Sequence, residues 1–190
     1  DYSESFGEAN DTLIDTVGKA GVETTYWVSF SDRHMEGMSD TEKLDYCSDA
    51  IGRLADKAAS QGCRVALYNH GAWFGHPRNQ VRIIDRLNRD NIGIVYNFHH
   101  AHQEMDEYPD LLELMLPHLY TMNLNGMTRG GPKIQTIGEG ESEERMIRLL
   151  AESGFSGTVG ILCHIHDADA EKVLKANMEG LQAIARGLSF

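Results

Sequence analysis

The chain has 190 residues, 41% hydrophobic and 24% charged, which fits one soluble globular domain with a sizeable core over residues 1–190. Its net charge of −12 argues against nucleic acid and against an anionic membrane surface as partners, because both need a basic face. No run approaches the roughly 18 apolar residues of a membrane span and no signal peptide is visible. The three cysteines, Cys47, Cys63 and Cys163, form no CxxC pair, so free thiols in a reducing, cytoplasmic compartment are expected.

In chain order, Asp11 to Ala20 reads as a short helix capped by Asn10 or Asp11. Thr24 to Phe30 (TTYWVSF) is β-branched and aromatic, hence a strand. Ser39 with Glu42 matches a capping box that opens a long helix to about Gln61, with Leu44, Cys47, Ile51, Leu54 and Ala58 at helical spacing. Val65 to Asn69 is a strand, Asn79 to Asn88 a helix, and Ile92 to Asn97 an almost wholly apolar strand, as expected where both faces are covered. Tyr108 to Leu116 is helical, with Pro109 in its first turn. Leu119 to Leu124 is a strand. A Gly-rich loop from Gly126 to Gly140 surrounds Lys133 and holds a short extended piece, Ile134 to Ile137. Ser142 to Ser153 is a helix, Val159 to Cys163 the last strand, and Ala168 to Ala185 the last helix.

Strand and helix therefore alternate, which predicts a parallel sheet in an α/β fold. Five strands are clear and a sixth is short, giving about six βα units where a closed (β/α)₈ barrel usually has about 250 residues. Polar side chains gather just after the strands. His70, His99, His100, His102, His164 and His166 all follow apolar runs, and that is where such sheets build their sites.

Several clusters could carry chemistry. Asn69-His70-Gly71 precedes Trp73, so His70 could exchange a proton with a hydroxyl while Trp73 offers a flat apolar face. Asn97-Phe98-His99-His100-Ala101-His102 holds three imidazoles in four residues, a pattern that suits acid–base work or a divalent ion. On an extended segment His99 and His100 would point apart, which favours His100 with His102 or Asn97. Asn123 and Asn125 share a strand face and could hold hydroxyls, or form an Asx turn. The glycines near Lys133 could present backbone amides to an anion, with the ammonium as point charge. Cys163 and His164 are adjacent on a strand, which disfavours a thiol–imidazole dyad and leaves His164 as a wall residue.

The pieces ALYNHGAW, GIVYNFHHAH, LYTMNLNGM, KIQTIGEGE and GTVGILCHIHDADAEKVLKANMEGL together resemble the sugar phosphate isomerase/epimerase superfamily, the xylose-isomerase-like TIM barrels. The resemblance runs from about Thr24 to Leu188. It implies a parallel (β/α) TIM-type barrel, here partial with its N-terminal units missing, and a site at the C-terminal strand ends. Metal-dependent members hold a divalent ion with Glu, Asp, His and Glu from successive strand ends. The matching positions here are Tyr68, Asn97 (with His100 at a retained histidine), Asn123, and Leu162 or Cys163. These replacements remove the charge that would hold a hard cation and the carboxylate bases of the usual proton transfer. The cofactor is thus open, with a softer ion such as zinc as one option.

The expectation is a carbohydrate isomerase or epimerase relative acting on a small polyhydroxylated substrate. His70 and His100 would move the proton, and Trp73, Asn97, Asn123, Asn125, Lys133 and His164 would hold the substrate. His70, Asn97, His100 and Asn123 should converge on one cavity. The alternative is a sugar-binding or scaffold barrel without catalysis. Open strand edges would be covered by a second copy in a homo-oligomer.

Overall fold

In the computed structural model, which describes residues 6–165 and 167–188, helices and strands alternate as α1 (Glu8–Ala20), β1 (Thr25–Val28), α2 (Asp40–Ala59), β2 (Arg64–Tyr68), α3 (Pro77–Leu87), β3 (Ile92–Asn97), α4 (Tyr108–Met115), β4 (Leu119–Leu124), α5 (Glu143–Glu152), β5 (Thr158–Ile161) and α6 (Ala170–Arg186). His166 lies outside the described residues. Two compact units divide the chain between Gly93 and Ile94.

In the first unit β1 and β2 pair in parallel, from Thr25 opposite Arg64 to Val28 opposite Leu67. Helix α2 starts where its capping box predicts. Ser39 Oγ accepts from Glu42 N at 3.3 Å, and Ser39 N donates to Glu42 Oε2 at 2.7 Å. Its apolar stripe, Cys47, Ile51, Leu54, Ala55 and Ala58, is buried. The stripe packs against β2, whose Val65, Ala66 and Leu67 are inaccessible, and against α3. Helix α3 begins two residues earlier than periodicity suggests, since the His76 side chain accepts from Arg78 N and Pro77 fits the first turn; it ends where Asn88 turns left-handed at φ 47°. Helix α1 likewise begins early, at Glu8, with Gly7 rather than Asn10 or Asp11 as its cap.

In the second unit β3, β4 and β5 are parallel, with Asn97 opposite Asn123 and Asn123 opposite Gly160. Every residue of β3 is buried, as its continuous apolar run requires. Helices α4, α5 and α6 pack in sequence, and α6 starts at Ala170 because Asp169 accepts from Glu171 N and Lys172 N. The piece Ile134 to Ile137 is not a sixth strand. It makes one antiparallel bridge, Gln135 with Gly126, because the loop folds back on itself instead of feeding a crossover helix. Among the described residues the chain is thus an α/β protein of five parallel strands.

Candidate functional site

The C-terminal end of β2 delivers Tyr68, Asn69, His70 and Gly71. Gly71 sits at φ +101° and a side-chain carbon there would lie 2.9 Å from the Phe30 carbonyl, so only glycine fits so close to the end of β1. The Asp32 carboxylate secures the same loop, accepting from Ala72 N at 3.0 Å and Trp73 N at 3.3 Å. Trp73 is half-buried and its indole N–H donates to Asp40 at 2.8 Å. Arg82 lies 5.9 Å from the centre of that indole and pairs with both Asp40 oxygens. The Arg82 bond, then the Trp73 bond, hold the Asp40 carboxyl down at about 2. His70 is exposed and stacks on Tyr68 at 5.9 Å with an 18° interplanar angle. Tyr68 in turn meets Trp27 of β1 at 6.0 Å. A hollow of about 1020 Å³ runs along this side of the unit, lined in part by Trp27, Phe30, Tyr46 and His70.

The second unit assembles its polar groups on β3, β4 and the loops after them. Asn97 is buried, and its side-chain oxygen accepts from His99 N at 3.0 Å, starting a short 3-10 turn from Phe98 to His100. That turn changes the geometry expected of an extended segment. His99 and His100 do not point apart, and their rings meet edge to face at 4.5 Å. Asn123 is half-buried beside Gly160, where a side-chain carbon would lie 2.4 Å from Asn123 Oδ1. Asn125 is fully buried and donates to the carbonyls of Gly126 (2.9 Å) and Lys133 (3.0 Å). The Lys133 carbonyl also pairs with His102 Nε2 at 2.9 Å. The Lys133 side chain and His164 are exposed. Burial lowers the pKa of His99, and the nearby charges of Lys133, His102 and His164 lower it further, against a rise from the Lys133 backbone.

The glycine loop does hold an anion, but an internal one. Glu143, fully buried at the start of α5, accepts from Gly138 N (3.0 Å), Gly140 N (2.8 Å) and Met127 N (3.2 Å). The backbone amides expected to receive a ligand beside Lys133 are therefore occupied by the chain's own carboxylate. Asn177 of α6, also buried, accepts from Ile137 N at 3.0 Å and fixes the loop's other side. Glu143 and Trp27 are the residues that the sequence reading passed over. The signal for Glu143 was its place three to five residues beyond two glycines at a helix start. For Trp27 it was the adjacent Tyr26-Trp27 pair, whose rings must face opposite sides of a strand so that each needs its own cover.

Cys47, Cys63 and Cys163 are free thiols. Burial, then the Asp32 charge, push Cys47 up to about 12, and burial also raises Cys163, so neither is poised as a thiolate nucleophile.

Parallel strands, each followed by a helix and carrying polar side chains at its C-terminal end, place the chain in the (β/α)-barrel class. Residues 4–184 match the xylose isomerase-like TIM barrel family, and the chain belongs to it. Inosose isomerase of Halalkalibacterium halodurans is 23% identical over 129 residues, 60% of this chain and 44% of that protein, so the chain spans less than half the length of this curated relative. Among solved structures, a D-tagatose 3-epimerase-like protein aligns with 98% of this chain and 75% of its own, at 17% identity and a TM-score of 0.67. The IOLI protein with a bound zinc atom aligns with 98% and 74%, at 15% identity and a TM-score of 0.70. At such identities these two likenesses speak for the fold alone.

A divalent ion of the kind such barrels carry does not fit the residues present. The four positions that resemble ligand positions hold a phenol at Tyr68, two neutral amides at Asn97 and Asn123, and an apolar or thiol group at Leu162 or Cys163. Asn97 already spends its side-chain oxygen on the His99 amide. Among the described residues, no three His, Cys, Asp or Glu side chains gather as a metal-ligating group.

Proposed function

We propose that this protein is a carbohydrate isomerase or epimerase that acts on a small polyhydroxylated substrate through histidine-mediated proton transfer. Family membership supports the reaction class. The observation that carries the residue assignment is the second unit's arrangement of amides and imidazoles: Asn97 and Asn123 stand side by side on β3 and β4, and the His99–His100 ring pair follows directly on β3. Imidazole titrates near neutrality, so His100 can take a proton from carbon or oxygen and return it. His70 has the same assignment on the first unit's strand end, with Trp73 as part of its apolar wall. Asn123 holds a hydroxyl, while Asn125, expected to do the same, is fully buried and braces the loop through the Gly126 and Lys133 carbonyls. Lys133 and His164, both exposed, meet the negative charge that develops on an enediolate. On this reading the substrate is a small free carbohydrate, and the three free thiols suit a cytoplasmic setting. Among the described residues no helix is long and apolar enough to cross a membrane. Association of two copies would cover the exposed Val159, Ile165, Leu174 and Met178.

The test is solvent exchange. Proton abstraction next to a carbonyl exposes that carbon to solvent, so D-fructose or D-tagatose incubated with the protein in deuterium oxide gains a carbon-bound deuterium, visible by NMR. The expected result is exchange that falls at least about 100-fold in His100→Ala while the circular dichroism spectrum is unchanged. Exchange at the full rate in that variant removes His100 from the mechanism.

A second reading has its own support. Neutral amides and a phenol at the positions that resemble metal ligands favour a barrel that binds sugar without turning it over. Saturable sugar binding with no exchange in the wild-type protein would establish it.

A further inference from the structure

The exposed apolar side chains of this chain are not scattered. Among the described residues, the large ones fall on two short stretches. Leu13, Val22 and Trp27 lie on α1, the turn after it and β1, while Val159, Ile165, Leu174 and Met178 lie on β5, the loop after it and α6. Single exposed apolar residues need no explanation, whereas their gathering in two places marks surfaces that meet something. Both places are sheet edges: among the described residues β1 pairs only with β2, and β5 only with β4. Edges that face water are ordinarily guarded by a lysine, a proline or a bulge. Thr25-Tyr26-Trp27-Val28 and Thr158-Val159-Gly160-Ile161 carry no charge and no proline, and they are equal in length.

The hollow along β1 decides what shape of partner fits. Its lining includes both Tyr26 and Trp27, whose side chains leave opposite faces of the strand, so it wraps the edge itself. A flat ligand would cover one face only. An added strand hydrogen-bonds the bare backbone groups and sends side chains to both faces. Charge decides which strand enters. The helix before β1, α1, carries Glu8, Asp11 and Asp15 against Lys19, and the helix after β5, α6, carries Lys172, Lys175 and Arg186 against Glu171 and Glu179. Two β1 edges together would set acid against acid in a chain of net charge −12, whereas β1 with β5 sets acid against base. Direction agrees. An edge paired with its own copy about a twofold axis across the strands runs antiparallel, and β1 with β5 continues the parallel order of both units.

We propose that the β1 edge of one protomer accepts the β5 edge of a second copy as an added parallel strand, head to tail. Two copies that exchange both edges leave neither open. The pairing completes a site as well as a sheet. It brings the second copy's His164, just after β5, to the rim where Asp32 follows β1 and His70 follows β2. Each such rim draws its residues from two chains. The pairing extends the association of copies described above and does not rest on any proton transfer.

Sedimentation velocity from about 1 to about 100 µM is expected to show a discrete species of twice 21.2 kDa that dissociates on dilution. Trp27→Lys and Val159→Lys each place a guard charge at one exposed edge position. Either alone should raise the dissociation constant at least about tenfold, with circular dichroism and urea midpoint as in the wild type. An equal mixture of the two should form a dimer again, because one wild-type β1 edge and one wild-type β5 edge remain to pair. A further measurement needs no charged edge. Trp73→Phe leaves Trp27 as the only indole, and its emission should shift to the blue as the dimer forms. Dimer loss in only one lysine variant, or no rescue in the mixture, would assign a like-with-like or unrelated interface and overturn the proposal. So would a monomer across the whole range, or association that leaves Trp27 emission unchanged. A wild-type dimer without deuterium exchange sinks the isomerase reading and leaves the pairing standing, and full exchange by a wild-type monomer does the reverse.

Discussion

The two units treat the polar and aromatic residues at their strand ends in opposite ways. In the first, rings lie open along a hollow: Trp27 is half exposed and His70 is exposed. In the second, buried side chains are spent on the backbone. Asn97, Asn125, Glu143 and Asn177 all bind main-chain groups of the turns and loops that follow β3 and β4. The contrast teaches that a polar residue after a strand has two uses. It can face a ligand, or it can hold the loop that does, and its burial separates the two.

The sharpest way to break this contrast is to remove the second unit's bracing. Glu143→Ala leaves three backbone N–H groups without their acceptor. The expected loss is on the order of 3–5 kcal/mol in urea unfolding, from several charge-assisted bonds lost together. Glu143→Gln, which keeps an acceptor, should lose less. A loss under about 1 kcal/mol for Glu143→Ala would mean the loop does not depend on that carboxylate.

A paired glycine substitution comes next. In α6 a methyl carbon on Gly180 would lie 1.7 Å from the Ile137 carbonyl oxygen, so Gly180→Ala must push the helix off the loop and is expected to cost about 2–3 kcal/mol. In α2 the same carbon on Gly52 would meet only the mobile end of Leu87 at 3.2 Å. There the gain in helix propensity offsets the contact, and Gly52→Ala should lie between neutral and about 1 kcal/mol stabilising. Equal costs for the two, read from urea midpoints, would contradict the close approach of α6 to the loop.

The smallest effect is a pH slope. Burial is the main reason the His99 pKa is lowered, so between that value and the ordinary histidine value the unfolded chain binds more protons than the folded one. Stability therefore rises with pH through this window and is lost as pH falls through it. The melting temperature should drop between about pH 7.5 and about 5.5 in the wild-type chain, and more gently in His99→Gln. An identical slope in both would assign the effect to other groups.

Much of the fold could be read from the residues because the signals were local. The α2 capping box, Pro109 in the first turn of α4, and the unbroken apolar run of β3 each report a backbone preference that packing did not override. The errors came where distant segments decide. Ile134 to Ile137 reads as extended, and it is, yet its partner is Gly126 of its own loop rather than a neighbouring strand. At the candidate site, the glycine amides around Gly138 were recognisable as an anion cradle, but only folding shows that the anion is Glu143. The Asn97 side-chain oxygen also caps the turn that brings the His99 and His100 rings together, a local role that the residue's place at a strand end does not disclose. Trp27 was hidden because a strand-forming run looks the same whether or not its face is covered.

The Lys133 carbonyl has an implication for how this loop can change. Asn125 and His102 grip a main-chain oxygen that any amino acid would supply, while the ammonium at that position reaches into solvent. Shape and charge are thereby uncoupled at residue 133. Evolution or an engineer can rewrite the electrostatics of this rim, from cation to neutral to anion, without redrawing the path of the chain.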